Sequence, residues 1–231
     1  MRDIARRVLP RSARHGLRDG WRGVRLRLAA ARLLRTPHYQ PVDAELLASF
    51  RSSWGNDAWT APLEFLQLVA DRARNTGGPI LECGSGCSTL LLGLVAASRG
   101  VEVWSLEHDD QWRQRIMEAL RRLGIAGVRV LHAPLRSYGA YDWYDPPVEL
   151  PLPERFTVVV CDGPPNGSTR GGRYGLLPVL GRRFGPGTEI LLDDASREEE
   201  AAVIQRWGAE RRFRLDVDRA AGRGIAHLIV A

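Results

Sequence analysis

The first group of residues able to do chemistry follows a short apolar run in the middle of the chain. In ILECGSGCS, Glu82 stands two residues before a turn formed by Gly84, Ser85 and Gly86. Glycines let the backbone turn sharply and bring main-chain N–H groups close to a ligand. An acid at that position repels a pyrophosphate and attracts an ammonium group. The turn therefore predicts a pocket for a ligand with a cationic tail.

A second acid, Glu107, ends the next apolar run, VWSLE. It follows Gly86 by 21 residues, the interval at which an acid reaches the ribose hydroxyls of an adenosine ligand. A dinucleotide fingerprint would need a third glycine where this chain has Thr89, which argues against NAD or FAD. The chain also has no lysine to bind phosphate. An adenosine with a cationic amino-acid tail, such as S-adenosylmethionine, fits both acids.

The ordered series ECGSG, Glu107, VVVCDGPP and ILLDDA resembles the class I S-adenosylmethionine-dependent methyltransferases over about residues 50–231. It is most similar to a small bacterial group related to O-methyltransferases that carries E-x-G-S-G-x-S-T. The resemblance implies a set of cofactor-binding residues at four places on the ligand. They are Glu82, Gly84, Ser85, Gly86 and Ser88 at the methionine part, Glu107 at the ribose, His108 and Ala133 (within 132–135) at the adenine edge, and Asp162 beside the sulfonium.

Three carboxylates follow two later apolar runs: Asp162 after VVVC, and Asp193 and Asp194 after ILL. The strand order that the resemblance implies brings them together beside the sulfonium. Methyl transfer needs a nucleophile that is held close and deprotonated. Asp162 is a candidate base. The alternative is that all three acids bind Mg²⁺ or another divalent cation, as in the catechol-type O-methyltransferases, although those enzymes carry Asp-Asn where this chain has Asp-Asp. A third reading is that the acids cap helices or loops.

The loop after Asp162 contains the candidate acceptor contacts. No aromatic residue follows Pro165, unlike the N-P-P-Y loop of amino methyltransferases, and this favours an oxygen acceptor over nitrogen. Arg170, Arg173 and Tyr174 are placed to receive a carboxylate or phosphate, with a solvated or structural role as the alternative. Two aromatic segments, WGNDAW with Trp59 and the segment 138–147, are candidates for a lid and for the acceptor pocket. The acceptor, a small molecule or a glycan-like compound, is not defined by these residues.

Alternating apolar runs and helical patterns position these residues. Strands are predicted at 79–83, 101–106, 127–131, 156–161, 188–193, 211–217 and 224–230. Helices are predicted at 88–98, 110–122, 175–183 and 196–207, after two earlier helices in DAELLASF and TAPLEFLQLVADRARN, the latter with Thr60 as N-cap. The last two strands are too close for a crossover helix. The prediction is an α/β fold: a doubly wound, mostly parallel seven-stranded sheet that ends in an antiparallel hairpin.

The charge is unevenly distributed. Residues 1–36 hold eleven arginines against Asp3 and Asp19, a net charge of +9, whereas the whole chain carries +6. We therefore predict a basic extension at 1–36 and a cofactor-binding domain at 37–231. A specific nucleic-acid partner is not predicted. The extension is either an amphipathic helix that meets a membrane surface or an acidic partner, or a solvated leader.

The remaining composition is that of a globular chain, with 44% hydrophobic and 26% charged residues. It has no apolar run long enough to span a membrane and no secretory signal pattern. Three sparse cysteines suggest reduced thiols, so we expect a cytoplasmic protein. Two other functions stay open at this level: a nicotinamide-dependent oxidoreductase, and a non-catalytic module that binds through its basic extension. The oligomeric state cannot be inferred.

Overall fold

A computed structural model describes residues 11–97, 99–147, 152–165, 167 and 169–231. Its main feature is a seven-stranded sheet with the order β3-β2-β1-β6-β7-β9-β8. The strands are β1 Ile80–Cys83, β2 Val103–Glu107, β3 Val128–His132, β6 Phe156–Cys161, β7 Phe184–Asp193, β8 Phe213–Asp218 and β9 Ile225–Val230, and a separate hairpin pairs β4 Leu135–Ser137 with β5 Asp142–Tyr144. The helices are α1 Arg11–Arg35, α2 Ala44–Trp54, α3 Leu63–Asn75, α4 Cys87–Ala97, α5 Asp110–Leu123, α6 Leu176–Leu180 and α7 Glu198–Glu210.

The pairing of the strands confirms the predicted fold class. β3, β2, β1, β6 and β7 are parallel neighbours, and β9 runs antiparallel to both β7 and β8. Every residue of β1 and β2 is buried. Their sequences are therefore mostly apolar, and Glu82, Ser105 and Glu107 are the buried polar side chains among them. The order reverses between β1 and β6, so the crevice of this doubly wound sheet lies at the carboxyl ends of those two strands.

Two hydrophobic clusters cover the two faces of the sheet. Alternate residues of each strand enter opposite clusters: Ile80 lies in the first cluster and Leu81 in the second. Residues of α1 to α5 belong to the first cluster and residues of α6 and α7 to the second. The sheet is therefore held rigidly between two apolar layers, and the loops at its edge are free to form a site.

The predicted helix 175–183 is interrupted. Short 3₁₀ turns at Gly172–Gly175 and Gly181–Arg183 flank the five-residue α6. A Cβ built on Gly175 would lie 2.4 Å from Cβ of Trp143, so the chain must approach this indole closely, and Pro178 further limits helical hydrogen bonding.

The prediction that Thr60 caps a helix is wrong. Helix α3 begins at Leu63 with Pro62 at the N-cap in an extended conformation, and the Thr60 hydroxyl instead donates to the carbonyl of Asn56 at 2.6 Å. A Thr60 N-cap would make Ala61 the first helical residue, but Ala61 precedes Pro62 and the residue before a proline avoids helical backbone angles.

Helix α1 covers most of the predicted basic extension. Its residues Ala29, Ala30 and Leu33 are buried in the first cluster together with Leu47 and Phe50. The boundary predicted at 36–37 falls just after this helix and stays a prediction, and residues 1–10 lie outside the described part of the chain. Within the described residues, no helix has the length and apolar character needed to cross a membrane.

Candidate functional site

A cavity of about 510 Å³ opens where β1, β2 and β6 end. Most of the predicted cofactor residues line it, namely Gly84, Ser85, Gly86, Ser88, Glu107, His108 and Asp162. Glu82 and Ala133 do not belong to the lining, and both are fully buried. Another cavity, of about 430 Å³, lies among Arg155, Arg182 and Arg211 and contains none of the predicted site residues.

The glycine turn after β1 is packed directly on the loop after β6. Gly84 has a φ of +92°, and a Cβ there would lie 3.2 Å from the backbone carbonyl of Asp162. Only glycine satisfies both conditions. The backbone N–H of Ser85 donates to Glu107 at 3.0 Å and that of Gly86 donates to the Thr89 hydroxyl at 2.7 Å. These two N–H groups are therefore held by side chains of the chain itself, which corrects the expectation that they point freely at a ligand.

Glu82 lies beneath the turn. Its carboxylate accepts hydrogen bonds from the hydroxyls of Thr89 at 2.6 Å and Ser105 at 2.5 Å. Burial raises the pKa of Glu82 to about 7, against the lowering effect of those hydroxyls. Because Thr89 also accepts from Gly86, Glu82 holds the turn in place from below. Its predicted contact with the methionine part stays a prediction.

Glu107 is the carboxylate that faces the cavity. One oxygen accepts from the Ser85 backbone at 3.0 Å and from the Ser85 hydroxyl at 2.6 Å. The other accepts from the Asp109 backbone at 3.0 Å and lies 3.0 Å from Nδ1 of His108. Burial alone would raise the pKa of Glu107, but these hydrogen bonds outweigh it and lower the pKa. Glu107 is therefore a charged acceptor at neutral pH, and ribose hydroxyls would have to share it with Ser85 and His108.

Asp162, Asp193 and Asp194 do converge, as predicted: one carboxylate oxygen from each lies within 4.8 Å of the others. Asp162 alone lines the cavity. Burial raises the pKa of Asp162 to about 8, and the charges of Asp193 and Asp194 add to this, while the neighbouring guanidinium groups oppose it. Asp194 has a φ of +62°, an unusual conformation for a residue other than glycine. Such a residue at a functional site must be held by its surroundings.

Arginines hold the acid cluster. The guanidinium of Arg173, only 3% exposed, donates to Asp162 at 3.1 Å and to Asp194 at 2.9 Å, and also to the backbone carbonyl of Asp193. Arg223 pairs with Asp193 at 3.3 Å and also with Asp194. The three carboxylates offer the oxygen ligands that Mg²⁺ prefers. In this arrangement, however, a divalent cation would have to displace or sit beside three guanidinium groups, those of Arg173, Arg197 and Arg223, so the site does not fit a metal.

The predicted acceptor residues are dispersed. Trp59 lines the cavity and is 74% exposed. Arg170 instead pairs with Asp142 at 3.1 Å on the surface. The Tyr174 hydroxyl donates to Glu210, outside the cavity. Among the predicted acceptor residues, Trp59 is thus the one that reaches the crevice, and Arg173 reaches it indirectly through Asp162.

Two aromatic residues of the cavity were not among the predicted site residues. The indole of Trp112 donates to the carbonyl of Ser85 at 2.8 Å and packs edge-on against Trp54. Tyr144 is fully buried, lines the cavity, and its hydroxyl has no hydrogen-bond partner within the described residues. Tyr144 falls within the aromatic segment 138–147 that the sequence flagged. The sequence signal for Trp112 is its position in the first turn of α5, the helix that follows Glu107.

No protein-family model and no curated protein matches the chain. Solved structures do match its fold. The SAH-bound methyltransferase PaMTH1 from Podospora anserina is 15% identical with a TM-score of 0.55, and the match covers 87% of this chain and 93% of that one. The O-methyltransferase from Bacillus cereus in complex with SAH is 19% identical with a TM-score of 0.54, covering 84% and 93%. Cofactor-bound Rv0187 from MTB is 18% identical with a TM-score of 0.52, covering 90% and 89%. These similarities confirm that the chain has the fold of the class I methyltransferases.

Proposed function

We propose that this chain is an S-adenosylmethionine-dependent methyltransferase that methylates an oxygen of a small-molecule or glycan-like acceptor. One observation carries the proposal: a single cavity at the carboxyl edge of the sheet brings together the Gly84–Gly86 turn, the charged Glu107 and Asp162. This cavity offers one acid for the ribose and one acid beside the reacting centre. It offers a pyrophosphate neither a lysine nor free N–H groups in the glycine turn. The site therefore suits an adenosine with a cationic tail better than a dinucleotide.

The roles of the residues follow from their positions. When bound, S-adenosylmethionine supplies an electrophilic methyl group on sulfur. Glu107 would accept hydrogen bonds from the ribose, and the buried wall around Tyr144 would exclude water from the donor. Asp162 would accept the proton of the acceptor hydroxyl as the carbon–oxygen bond forms and the carbon–sulfur bond breaks. A base with a pKa near the working pH combines a useful unprotonated fraction with a strong pull on the proton.

The choice of oxygen as acceptor rests on two supports. The loop Asp162-Gly163-Pro164-Pro165 lacks the aromatic residue that amino methyltransferases use. The matching structures include O-methyltransferases, among them the one from Bacillus cereus. The three free, buried cysteines support the predicted cytoplasmic location.

The divalent cation left open by the sequence is the less favoured alternative. Arg173 and Arg223 already supply positive charge to the three carboxylates, so the proposed reaction proceeds without Mg²⁺. Excess chelator should leave the rate of methyl transfer unchanged. Loss of activity that Mg²⁺ or Mn²⁺ restores would reinstate the metal.

Calorimetric titration tests the proposal directly. The purified chain should bind S-adenosylmethionine and S-adenosylhomocysteine with micromolar affinity and should not bind NAD. The Glu107→Ala variant serves as a site control, because it should weaken binding of both sulfur compounds. Binding of NAD with no binding of either sulfur compound would refute the methyltransferase proposal and favour an oxidoreductase.

A further inference from the structure

Helix α1 exposes an apolar stripe along its outer side. Trp21, Val24 and Leu28 are 70%, 46% and 62% exposed. Their spacing of three and four residues places them on one face of the helix. The opposite face carries Ala29, Ala30 and Leu33, which are buried in the first hydrophobic cluster. The helix is therefore anchored to the domain by one face while it presents large apolar side chains to solvent by the other.

Arginines border this stripe. Arg25 and Arg32 lie on one side of it, Arg27 lies on the other and Arg35 continues it, and all four are exposed. None of them forms an ion pair with an acidic side chain in the part of the chain that the structure describes. Exposed tryptophan and leucine flanked by unpaired cations are the features of helices that lie in the interface of an anionic membrane.

The charge of this face also argues against a second copy of the chain. A two-fold symmetric interface would place the same face against itself and would bring the unpaired arginines of two subunits together with no acid between them. An acidic protein surface could satisfy the arginines, but it would also need an apolar groove shaped for Trp21, Val24 and Leu28. A lipid surface supplies both negative charge and an apolar layer.

The helix adjoins the mouth of the cavity. A Cβ built on Gly55 would lie 3.1 Å from the guanidinium carbon of Arg22, so α1 rests against the loop that carries Asn56 and Trp59, two residues of the cavity lining. The helix that carries the stripe is therefore in direct contact with the loop at the entrance of the site.

We infer that α1 is an interfacial helix that docks the domain on an anionic lipid surface through Trp21, Val24 and Leu28, with Arg25 and Arg32 at the headgroups. This inference does not depend on the chemistry of the cavity. It is tested by vesicle flotation, with the full chain mixed with vesicles of phosphatidylcholine alone or with about a quarter phosphatidylglycerol at physiological salt.

The full chain should float with the anionic vesicles and not with the neutral ones. Trp21→Ala/Leu28→Ala should weaken binding by roughly tenfold or more because it removes the inserted side chains. Arg25→Gln/Arg32→Gln should weaken it by roughly 25-fold, about fivefold for each arginine. The matched control Arg212→Gln/Arg214→Gln removes the same charge from exposed positions at the start of β8, an edge strand of the sheet, and should change binding less than about twofold.

Three results would overturn the inference: no flotation of the wild-type chain, equal binding to both kinds of vesicle, or an equal loss in the β8 control. Sedimentation of the free protein covers the remaining possibility, since a dimer that Trp21→Ala/Leu28→Ala dissociates would assign this face to a second copy instead. Circular dichroism and the melting temperature of each variant verify that it is folded.

Discussion

Arg173 is the residue whose removal best tests the acid cluster. Arg173→Met keeps a long apolar stem but removes the guanidinium that bonds Asp162 and Asp194. Its side chain is 3% exposed, as is that of Asp194, and Glu200 lies 3.7 Å from its Nε with 1% exposure. The substitution therefore leaves buried acids without their principal counter-ion.

The expected loss is large because Arg173 and Asp194 are both buried. Removing one partner from a buried ion pair costs about 3–5 kcal/mol of unfolding free energy. Arg170→Met is the matched control from the same loop, since the Arg170 side chain is 59% exposed and pairs only at the surface. Such a pair contributes about 0–1 kcal/mol. The two arginines thus predict a difference of roughly 3 kcal/mol between variants of identical chemistry.

Urea unfolding followed by circular dichroism measures both variants at pH 8 and pH 5. The pKa of Asp162 in the folded chain is already raised to about 8 by burial, and loss of Arg173 raises it further. A carboxyl with a raised folded pKa favours the folded state below its unfolded pKa, near 4, and loses that contribution as the pH rises toward the folded pKa. The cost of Arg173→Met should therefore be smaller at pH 5. A cost no greater than that of Arg170→Met at pH 8 would refute the cluster as described.

The same variant tests whether the guanidinium of Arg173 occupies the place that a divalent cation would take among the three carboxylates. With the guanidinium gone, the three carboxylates within 4.8 Å of one another become a usable oxygen site, and millimolar Mg²⁺ should raise the melting temperature of Arg173→Met. At ten times the dissociation constant the gain is about 1.4 kcal/mol. The wild type should not respond. Stabilisation of the wild type by Mg²⁺ would contradict the role assigned to Arg173.

Three further predictions concern single carboxylates. Glu107→Ala should weaken S-adenosylhomocysteine binding by about 1–3 kcal/mol in calorimetry. The control is Glu102→Ala, because the Glu102 side chain is half-exposed just before the same strand, and it should leave binding unchanged. Equal affinities of the two variants would reject the ribose contact. Activity should rise with pH through about 8 as Asp162 loses its proton, and Asp162→Asn should keep cofactor binding but abolish turnover; a fully active variant would remove Asp162 as base. Because burial raises the pKa of Glu82 to about 7, the contribution of this group to stability should fall by roughly 3 kcal/mol as the pH rises from about 4.5 to 7. Glu82→Gln should remove that part of the pH dependence of wild-type stability; an unchanged dependence would contradict the raised pKa of Glu82.

The fold could be predicted from sequence because its signals are local. A strand buried on both faces is mostly apolar, so short runs such as VVVC and ILL indicate strands from local sequence alone. The Gly84–Gly86 turn and Glu107 follow their strands directly, and parallel strands end at one edge, so their convergence was also predictable. The starting point of α3 was missed because Pro62 decides it, and the prediction gave Thr60 more weight than the proline.

The tertiary structure alone decided what each charged side chain faces. The amino-acid sequence shows thirty-three arginines of equal appearance, and only packing shows that Arg173 is buried among acids while Arg170 is on the surface. Glu82 is placed in the same way: its position after β1 is local, but its burial under Thr89 and Ser105 depends on a neighbouring helix and strand. The physical reason is that the energy of a charge depends on its distance from water and from other charges, and both distances are set by residues remote in sequence.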